Sequence, residues 1–571
     1  MKIDCSIEKP YFSLAVFFLS PCLVFAQGES KLVFAQGESK LGVHRQSEAG
    51  SSFAKADTNG VGRLDADEVN SKALFQRMDT HSDGFVTDKE LLAQVKRRQE
   101  RGSTSAVKVA GTQVFPANPK GEAAKRKLLT TIAKVSLAED RPPNIVLLFS
   151  DDLGYGDLSL HGSEEIPTPN IDALGKHGVR FSNAYVTAGT CSPSRAGLIS
   201  GRYQQRFGFE FNTAGGAVTH RLHRGLDPSI VTMADVLKQA GYATGAFGKW
   251  HLGTRPQFHP KSRGFDEFYG FLAGAHSFFS AKSPEPFYST IMRGDSPLTE
   301  PEYLTDAIAR ETIEFIDSHH DKPFFAYVPF NAVHTPIEAT RKYQDRFPNE
   351  RDASRRDYYA MTSALDDAVG AIIAAIDKNQ LTQKTLVIFV NDNGGPIYTG
   401  VQSNGPLKLG KLFLFEGGIR VPMIFKLPGK FNPGTLYNKP TSTLDLFPTI
   451  CAVAGIEIPN GINLDGVDLT PFVNGQATGT PHENLFWSNG PNIAVRQGKW
   501  KLVKSYENTW LFDLANDIAE SNNLASARPE IVKDLEKVYR DWRSQMSKPA
   551  WPSKPNRRKI KVDGLLYELN I

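Results

Sequence analysis

Asn144-Ile145-Val146-Leu147-Leu148-Phe149-Ser150-Asp151-Asp152 is an apolar run that stops abruptly at a hydroxyl and two carboxylates. A short run that is apolar at every position, with no in-out alternation, is the pattern of a strand buried on both faces. Pro323 to Phe330 and Leu386 to Val390 have the same character, and each also runs directly into polar residues. The first leads to Asn331-Ala332-Val333-His334-Thr335-Pro336, the second to Asn391-Asp392-Asn393-Gly394. Between them Tyr358, Met361, Leu365, Val369, Ile372 and Ile376 recur at helical spacing, which predicts a core-facing helix. From Pro143 onward, apolar runs alternate with amphipathic helices. This predicts an α/β fold, a sheet covered by helices on both faces. In such sheets, active groups gather outside the carboxyl ends of the strands.

Carboxylates crowded at one sheet edge repel one another unless a cation lies between them. Asp-Asp and Asp-Asn pairs also cap turns, but two such pairs at separate strand ends point to an all-oxygen metal site of Asp151, Asp152, Asp392 and Asn393. Hard oxygen donors favour calcium, with magnesium second, over zinc. Of the four cysteines, Cys5 and Cys22 fall in an apolar leader, so no disulfide framework is expected. Cys451 lies in the apolar helical run Leu446 to Ala454 and reads as an inert buried thiol. Cys191 stands instead in Cys191-Ser192-Pro193-Ser194-Arg195, a polar setting better suited to chemistry.

With 571 residues, 40% of them hydrophobic and 22% charged, the chain has room for one large domain and smaller ones. A net charge of +4 gives no case for nucleic-acid binding. Residues 1–26 read as a signal peptide: Phe12 to Phe25 is almost wholly apolar, too short and too broken by Pro21 to span a membrane, and it ends in Val24-Phe25-Ala26. A secreted or periplasmic location follows as an expectation. Residues 27–50 form a linker that includes part of a tandem repeat, LVFAQGESK at Leu23 to Lys31 and again at Leu32 to Lys40.

Within 51–96 two twelve-residue stretches follow EF-hand loop spacing. Asp57, Asn59, Asp65 and Glu68 supply oxygens in the first, and Asp79, Asp83, Thr87 and Glu90 in the second. Val61 and His81 each replace a usual oxygen ligand, which weakens binding without altering the loop, and calcium remains the expected occupant. Residues 97–141 read as a linker with one helix, 142–480 as the catalytic domain, and 481–550 as a C-terminal subdomain. In the last, Ile493 to Val495, Trp500 to Lys504 and Trp510 to Phe512 suggest strands, followed by a helix bearing Ile531, Leu535, Val538 and Trp542. Residues 551–571, with Arg557, Arg558, Lys559 and Lys561, read as a basic, solvated tail.

From Pro143 to Trp542 the chain resembles the type I, formylglycine-dependent sulfatases, arylsulfatase-like enzymes of the alkaline-phosphatase-like superfamily, which implies a large, mixed but mostly parallel sheet sandwiched by helices and a small C-terminal α+β subdomain, here preceded by an α-helical EF-hand pair. The Cys191 pentapeptide, the metal pairs, Gly248-Lys249-Trp250-His251-Leu252-Gly253, His334-Thr335-Pro336, and Lys411 with Glu416-Gly417-Gly418-Ile419-Arg420-Val421-Pro422 carry the resemblance. It implies that Cys191 is oxidised to formylglycine by a maturation enzyme and joins Asp151, Asp152, Asp392 and Asn393 around the cation. It also implies that Arg195 holds the aldehyde hydrate and that Lys249 and Lys411 clamp sulfate. His334 would protonate the leaving oxygen, and His251 would act as base. Strand alternation is expected to point Lys249 and His251 to one side. One departure stands out. Leu412-Phe413-Leu414-Phe415, directly after Lys411, is more apolar than the Gly-Lys-Gly-Thr-type loop usual in the family.

The function expected is hydrolysis of a sulfate ester, of a sulfated carbohydrate or an aryl sulfate. The alternatives are a phosphate or phosphonate monoester hydrolase on the same fold, and a calcium-dependent glycan-binding protein without turnover.

Overall fold

The computed structural model describes residues 118–136, 141–213, 216–280, 289–553 and 555–570, and four short strands nearer the N-terminus. It separates into two units, 1–110 and 111–571. In the first, Leu23–Phe25 pairs antiparallel with Leu32–Phe34, so the two repeat copies meet in one ribbon. Arg63–Leu64 pairs with Val86–Thr87, with Leu64 opposite Val86. The rest of the expected signal peptide, the EF-hand ligand loops apart from those strands, and most of the linkers lie outside the described residues.

The second unit is built on a ten-stranded sheet. In chain order its strands are β1 (Asn144–Ser150), β2 (Val179–Phe181), β3 (Ala243–Lys249), β4 (Glu267–Phe271), β5 (Met292–Arg293), β6 (Ser296–Pro297), β7 (Phe324–Pro329), β8 (Thr385–Asn391), β9 (Met423–Lys426) and β10 (Thr435–Tyr437). Across the sheet they run β6-β5-β4-β3-β7-β1-β8-β9-β2-β10. The five central strands, β4, β3, β7, β1 and β8, are mutually parallel; antiparallel pairs flank them. Parallel strands need helical crossovers, and those helices bury both faces. Side-chain alternation shows the consequence. Ile145, Leu147 and Phe149 enter one core with Leu386, Ile388 and Val390. Val146 and Leu148 enter the other with Val387, Phe389 and Val328.

The second core is covered by the helix Ala353–Lys378, whose Tyr358, Met361, Leu365, Val369, Ile372 and Ile376 all pack into it as the spacing predicts. Among the described residues it is one helix long and apolar enough to cross a membrane, and 72% of its apolar window is buried inside the fold. The predicted linker helix is Pro119–Leu129, with the Asn118 side chain accepting from the Gly121 N–H at its start. Lys125 docks it through the Ile230 carbonyl at 3.1 Å and the Asp235 carboxylate at 2.5 Å.

A four-stranded antiparallel sheet follows: β11 (Asn484–Asn489), β12 (Asn492–Gln497), β13 (Trp500–Ser505) and β14 (Asn508–Asp513). Three of these match the predicted strands and β11 was not foreseen. The helix Pro529–Arg543 lies against this sheet through Ile531, Leu535 and Val538. The stretch read as a basic tail is instead a hairpin, β15 (Pro555–Val562) and β16 (Leu565–Asn570), with Tyr567 fully buried and Val562 and Leu569 in the first core.

His482, at the entrance to β11, holds Asp445 through Nε2 at 2.7 Å. Burial lowers the pKa of this imidazole, but the Asp445 charge and hydrogen bond outweigh it and leave the group above its ordinary value. A histidine raised in the folded state contributes stability that is complete below its unfolded pKa of about 6.5 and is lost as pH rises through the folded value. His482→Gln should therefore lower stability by about 1.5–3 kcal/mol in mild acid, with the gap from the wild type closing toward alkaline pH. Denaturant titrations across that range check it; a gap independent of pH would refute the charged pair.

Candidate active site

Three neighbouring strands deliver the chemistry to one edge. β1 ends at Asp151 and Asp152, β8 at Asp392 and Asn393, and β7 leads to His334. Their ends are laced together: the Asp392 N–H donates to the Ser150 carbonyl at 3.1 Å, the Asp151 N–H to Ala332 at 2.9 Å, and Val333 back to Asp151 at 2.7 Å. Asp151, Asp152, Asp392 and Asn393 are all fully buried. Asp152 sits in the left-handed region at φ 60, a turn that swings its carboxylate back toward β8.

Facing them is the helix Cys191–Ser200, whose first residue is the cysteine. Cys191 Sγ lies 3.7 Å from Asp151 Oδ1. Arg195, one turn on, is wholly buried. It donates from Nε and Nη2 to Asp392 Oδ2 at 3.1 and 2.9 Å and from Nη1 to the Lys249 carbonyl at 2.9 Å, and its Nη2 lies 3.4 Å from Asp151. Lys249, the last residue of β3, pairs with Asp151. Lys411 Nζ reaches both oxygens of Asp152 at 2.7 Å. His334 Nε2 is 3.5 Å from Asp152, while its Nδ1 meets the Thr335 carbonyl at 2.6 Å.

His251 joins the group by a route other than the one expected. β3 ends at Lys249, and His251 lies beyond it at φ 56, so backbone reversal and not strand alternation brings it in. Its carbonyl is pinned by the Ser192 hydroxyl at 2.7 Å, and its ring faces Gly274, where any Cβ would come within 2.5 Å of Nε2. Ser192, within the Cys191 pentapeptide, thus positions His251, a contact between residues 59 apart that no local spacing signals. Tyr398, an aromatic in the turn after Asn393-Gly394-Gly395-Pro396, is exposed.

The electrostatics follow from burial. Burial pushes the Cys191 thiol up to about 12, even with Lys249 and Lys411 pulling the other way. Asp151 is held far below the carboxylate range: burial opposes this, but Lys249, His334 and Arg195 prevail. Asp392 moves up, through burial and the neighbouring Asp151. Burial and the two lysines depress His334 to about 4; burial, Lys249 and Arg195 drive His251 well below its ordinary value. Both imidazoles are neutral at neutral pH.

A cation fits the residues present. The Asn393 amide nitrogen donates to Asp152 at 2.7 Å, while its Oδ1 is buried without any donor. Such an oxygen is costly unless something positive faces it. Ligand atoms of Asp151, Asp152, Cys191 and His334 lie within 4.8 Å of one another. His334 thus enters the cluster beside the residues expected from sequence, and Asp392 stands behind it on Arg195. Three carboxylates are answered by Arg195, Lys249 and Lys411, so a dication would leave the site net positive and suited to an anion.

Every active-site residue read from the sequence is therefore brought to one place. Residues 143–456 match the sulfatase family profile, and 408–545 that of the N-sulphoglucosamine sulphohydrolase C-terminal region. Human arylsulfatase A is 33% identical over 471 residues, covering 73% of this chain and 90% of that protein. Mouse N-acetylgalactosamine-6-sulfatase is 33% identical over 423 residues, covering 70% and 79%. The crystal structure of Ps i-CgsB in complex with k-i-k-neocarrahexaose superimposes with a TM-score of 0.67 at 35% identity, covering 72% of this chain and 95% of that one. A family profile matched over 143–456 and a relative one-third identical across nine-tenths of its own length show that the chain belongs to the sulfatase family and is a sulfuric ester hydrolase.

Proposed function

We propose that the protein is a secreted, calcium-dependent sulfatase acting on a sulfated carbohydrate, with Cys191 converted to formylglycine. The state of Cys191 carries the reading. A fully buried thiol whose pKa is pushed up to about 12 is protonated and a poor nucleophile, yet it sits among anion-binding groups at a helix start. Oxidation to the aldehyde removes that handicap. The hydrate supplies one hydroxyl to attack sulfur and a second whose deprotonation re-forms C=O and expels sulfate. Calcium, held by Asp151, Asp152, Asp392, Asn393 and residue 191, would polarise the bound sulfate.

The chain's own groups do the rest. Arg195, fixed between Asp392 and the Lys249 carbonyl, orients the residue one turn before it. Lys249 and Lys411 hold the sulfate oxygens as charge develops in the transition state. A sulfate ester bound between the lysines offsets two of the charges that, after burial, depress His334, and so moves this imidazole back toward its protonated form. In that form it donates a proton to the leaving oxygen as the S–O bond breaks. His251 is already neutral and accepts the proton of the second hydroxyl.

The oligosaccharide in the Ps i-CgsB complex supports a carbohydrate substrate. The apolar N-terminal segment supports secretion. Leu64 and Val86, which pair across the short antiparallel ribbon, are the eighth residues of the two EF-hand-like loops, and this symmetry supports calcium there as well.

The test is a comparison of aryl sulfate and aryl phosphate hydrolysis by protein made with a maturation enzyme. Faster sulfate turnover, lost on chelation and restored by calcium, is expected. Faster phosphate turnover would overturn the reading in favour of a phosphomonoesterase, and glycan binding without sulfate release would favour a non-catalytic binder.

A further inference from the structure

The loop that carries Lys411 is strained and apolar, and its support comes from the far C-terminus. Leu409 and Leu412 both adopt left-handed backbone, at φ 60 and 79. That conformation crowds a leucine Cβ against the following carbonyl, a strain that glycine would not incur. On one side the loop is tied to the active site: the Lys411 N–H donates to the Gly395 carbonyl at 3.1 Å and the Leu412 N–H to Gly189 at 2.8 Å, two residues before Cys191. On the other side it meets the hairpin β15–β16. The Tyr567 hydroxyl accepts from the Leu414 N–H at 3.3 Å, and its ring lies 5.1 Å from that of Phe413 and 5.8 Å from that of Phe415. Lys408, three residues before the clamp, reaches Asp563 in the hairpin turn at 2.6 Å and the Glu520 carbonyl at 2.7 Å. The Glu520 carboxylate accepts from the Glu416 N–H at 2.7 Å, closing the loop's other end.

The hairpin is itself firmly seated. The Asn492 and Asn508 amides donate to the Glu568 and Leu566 carbonyls, both at 2.8 Å, and the Glu568 N–H donates to the Ser505 hydroxyl at 3.1 Å. It lies beyond residue 545, where the family match ends. We infer that this hairpin is a positioning element for the sulfate clamp: Tyr567 and Asp563 hold the strained 408–416 loop so that Lys411 stays aimed at the bound sulfate. The unusual apolar run Leu412 to Phe415 is thereby explained, since its aromatic side chains are the surface that the hairpin grips. The inference rests on the reading of Lys411 as a sulfate clamp.

Two mild variants test it in the full-length, matured enzyme. Tyr567→Phe keeps the ring and removes the acceptor for Leu414; Asp563→Ala removes one of the two partners of Lys408 at an exposed turn. Each should lower kcat/KM on an aryl sulfate, and weaken inhibition by inorganic sulfate, by about three- to tenfold, with thermal stability little changed. The decisive readout is inorganic sulfate binding, followed by calorimetry, in a Lys411→Ala background, where neither variant should have any further effect. Equal losses with and without Lys411, or a fall in melting temperature with sulfate affinity intact, would show that the hairpin merely stabilises the fold. The two readings fail separately. If Lys411→Ala itself leaves sulfate affinity unchanged, the clamp assignment falls and the brace has nothing to hold. If Lys411→Ala weakens sulfate and the hairpin variants do not, only the brace falls.

Discussion

Cys191→Ala should abolish sulfate ester hydrolysis, with a loss of at least about 10⁴-fold in kcat, while the folded protein survives. The side chain is buried at the first position of its helix and hydrogen-bonds only weakly, to Asp151 at 3.7 Å, so alanine removes one sulfur and leaves the backbone untouched. Cys191→Ser is the sharper control. Serine preserves volume and polarity and supplies a hydroxyl, but a serine ester of sulfate has no second hydroxyl whose deprotonation by His251 could expel sulfate. It should therefore stall after one transfer, releasing the alcohol in a single burst without turnover. Peptide mass spectrometry across Cys191 in the active wild type should show a sulfur and two hydrogens replaced by one oxygen. Full activity with an unmodified thiol would defeat the mechanism, and steady turnover by the serine variant would defeat the role given to the second hydroxyl.

Where the sequence was informative, one physical constraint dominated. The runs Ile145 to Phe149 and Leu386 to Val390 had to be buried on both faces, and this alone placed Asp151, Asp152 and Asp392 at a shared edge. Arg195 followed from helical spacing, four residues after Cys191 on one face. His251 was found through its motif, not through geometry: the chain reverses at φ 56, and no periodicity announces a left-handed histidine.

The C-terminal hairpin had a signal that charge obscured. Arg557, Arg558, Lys559 and Lys561 suggested solvent, yet Asp563-Gly564 between alternating residues is a two-residue turn, and both take positive φ, at 51 and 82. Its partner surface, Phe413 and Phe415, appeared in the sequence only as a departure from the expected loop. Neither anomaly explains itself, because each records a long-range contact, 153 residues apart for Leu414 and Tyr567. The EF-hand reading rests on residues largely outside those described, and only the Leu64–Val86 pairing bears on it.

Arg195→Ala should be the most destabilising single substitution in the site. The guanidinium is completely buried and bonds Asp392 twice, lies beside Asp151, ties down the Lys249 carbonyl, and stacks 5.1 Å over the Phe149 ring. Removing one partner of a buried ion pair leaves an uncompensated charge, which costs about 3–5 kcal/mol. Two carboxylates share this cation, and burial already moves Asp392 upward, so the variant should relieve the strain by protonating Asp392. The sign of the pH dependence follows. A carboxyl whose folded pKa is raised binds its proton more tightly in the folded state, so the destabilisation should be greatest at neutral pH and shrink in mild acid. Activity should fall by about 10²–10³-fold even where the protein is folded, because the residue one turn before the missing guanidinium loses its orienting partner. Arg195→Lys should not restore it: an ammonium is a point charge and cannot bond Asp392 and the Lys249 carbonyl in the same plane. Denaturant melts at two pH values, read beside kcat/KM, check both halves. Full rescue by lysine would mean that charge alone, without the planar fork, holds the strand ends together.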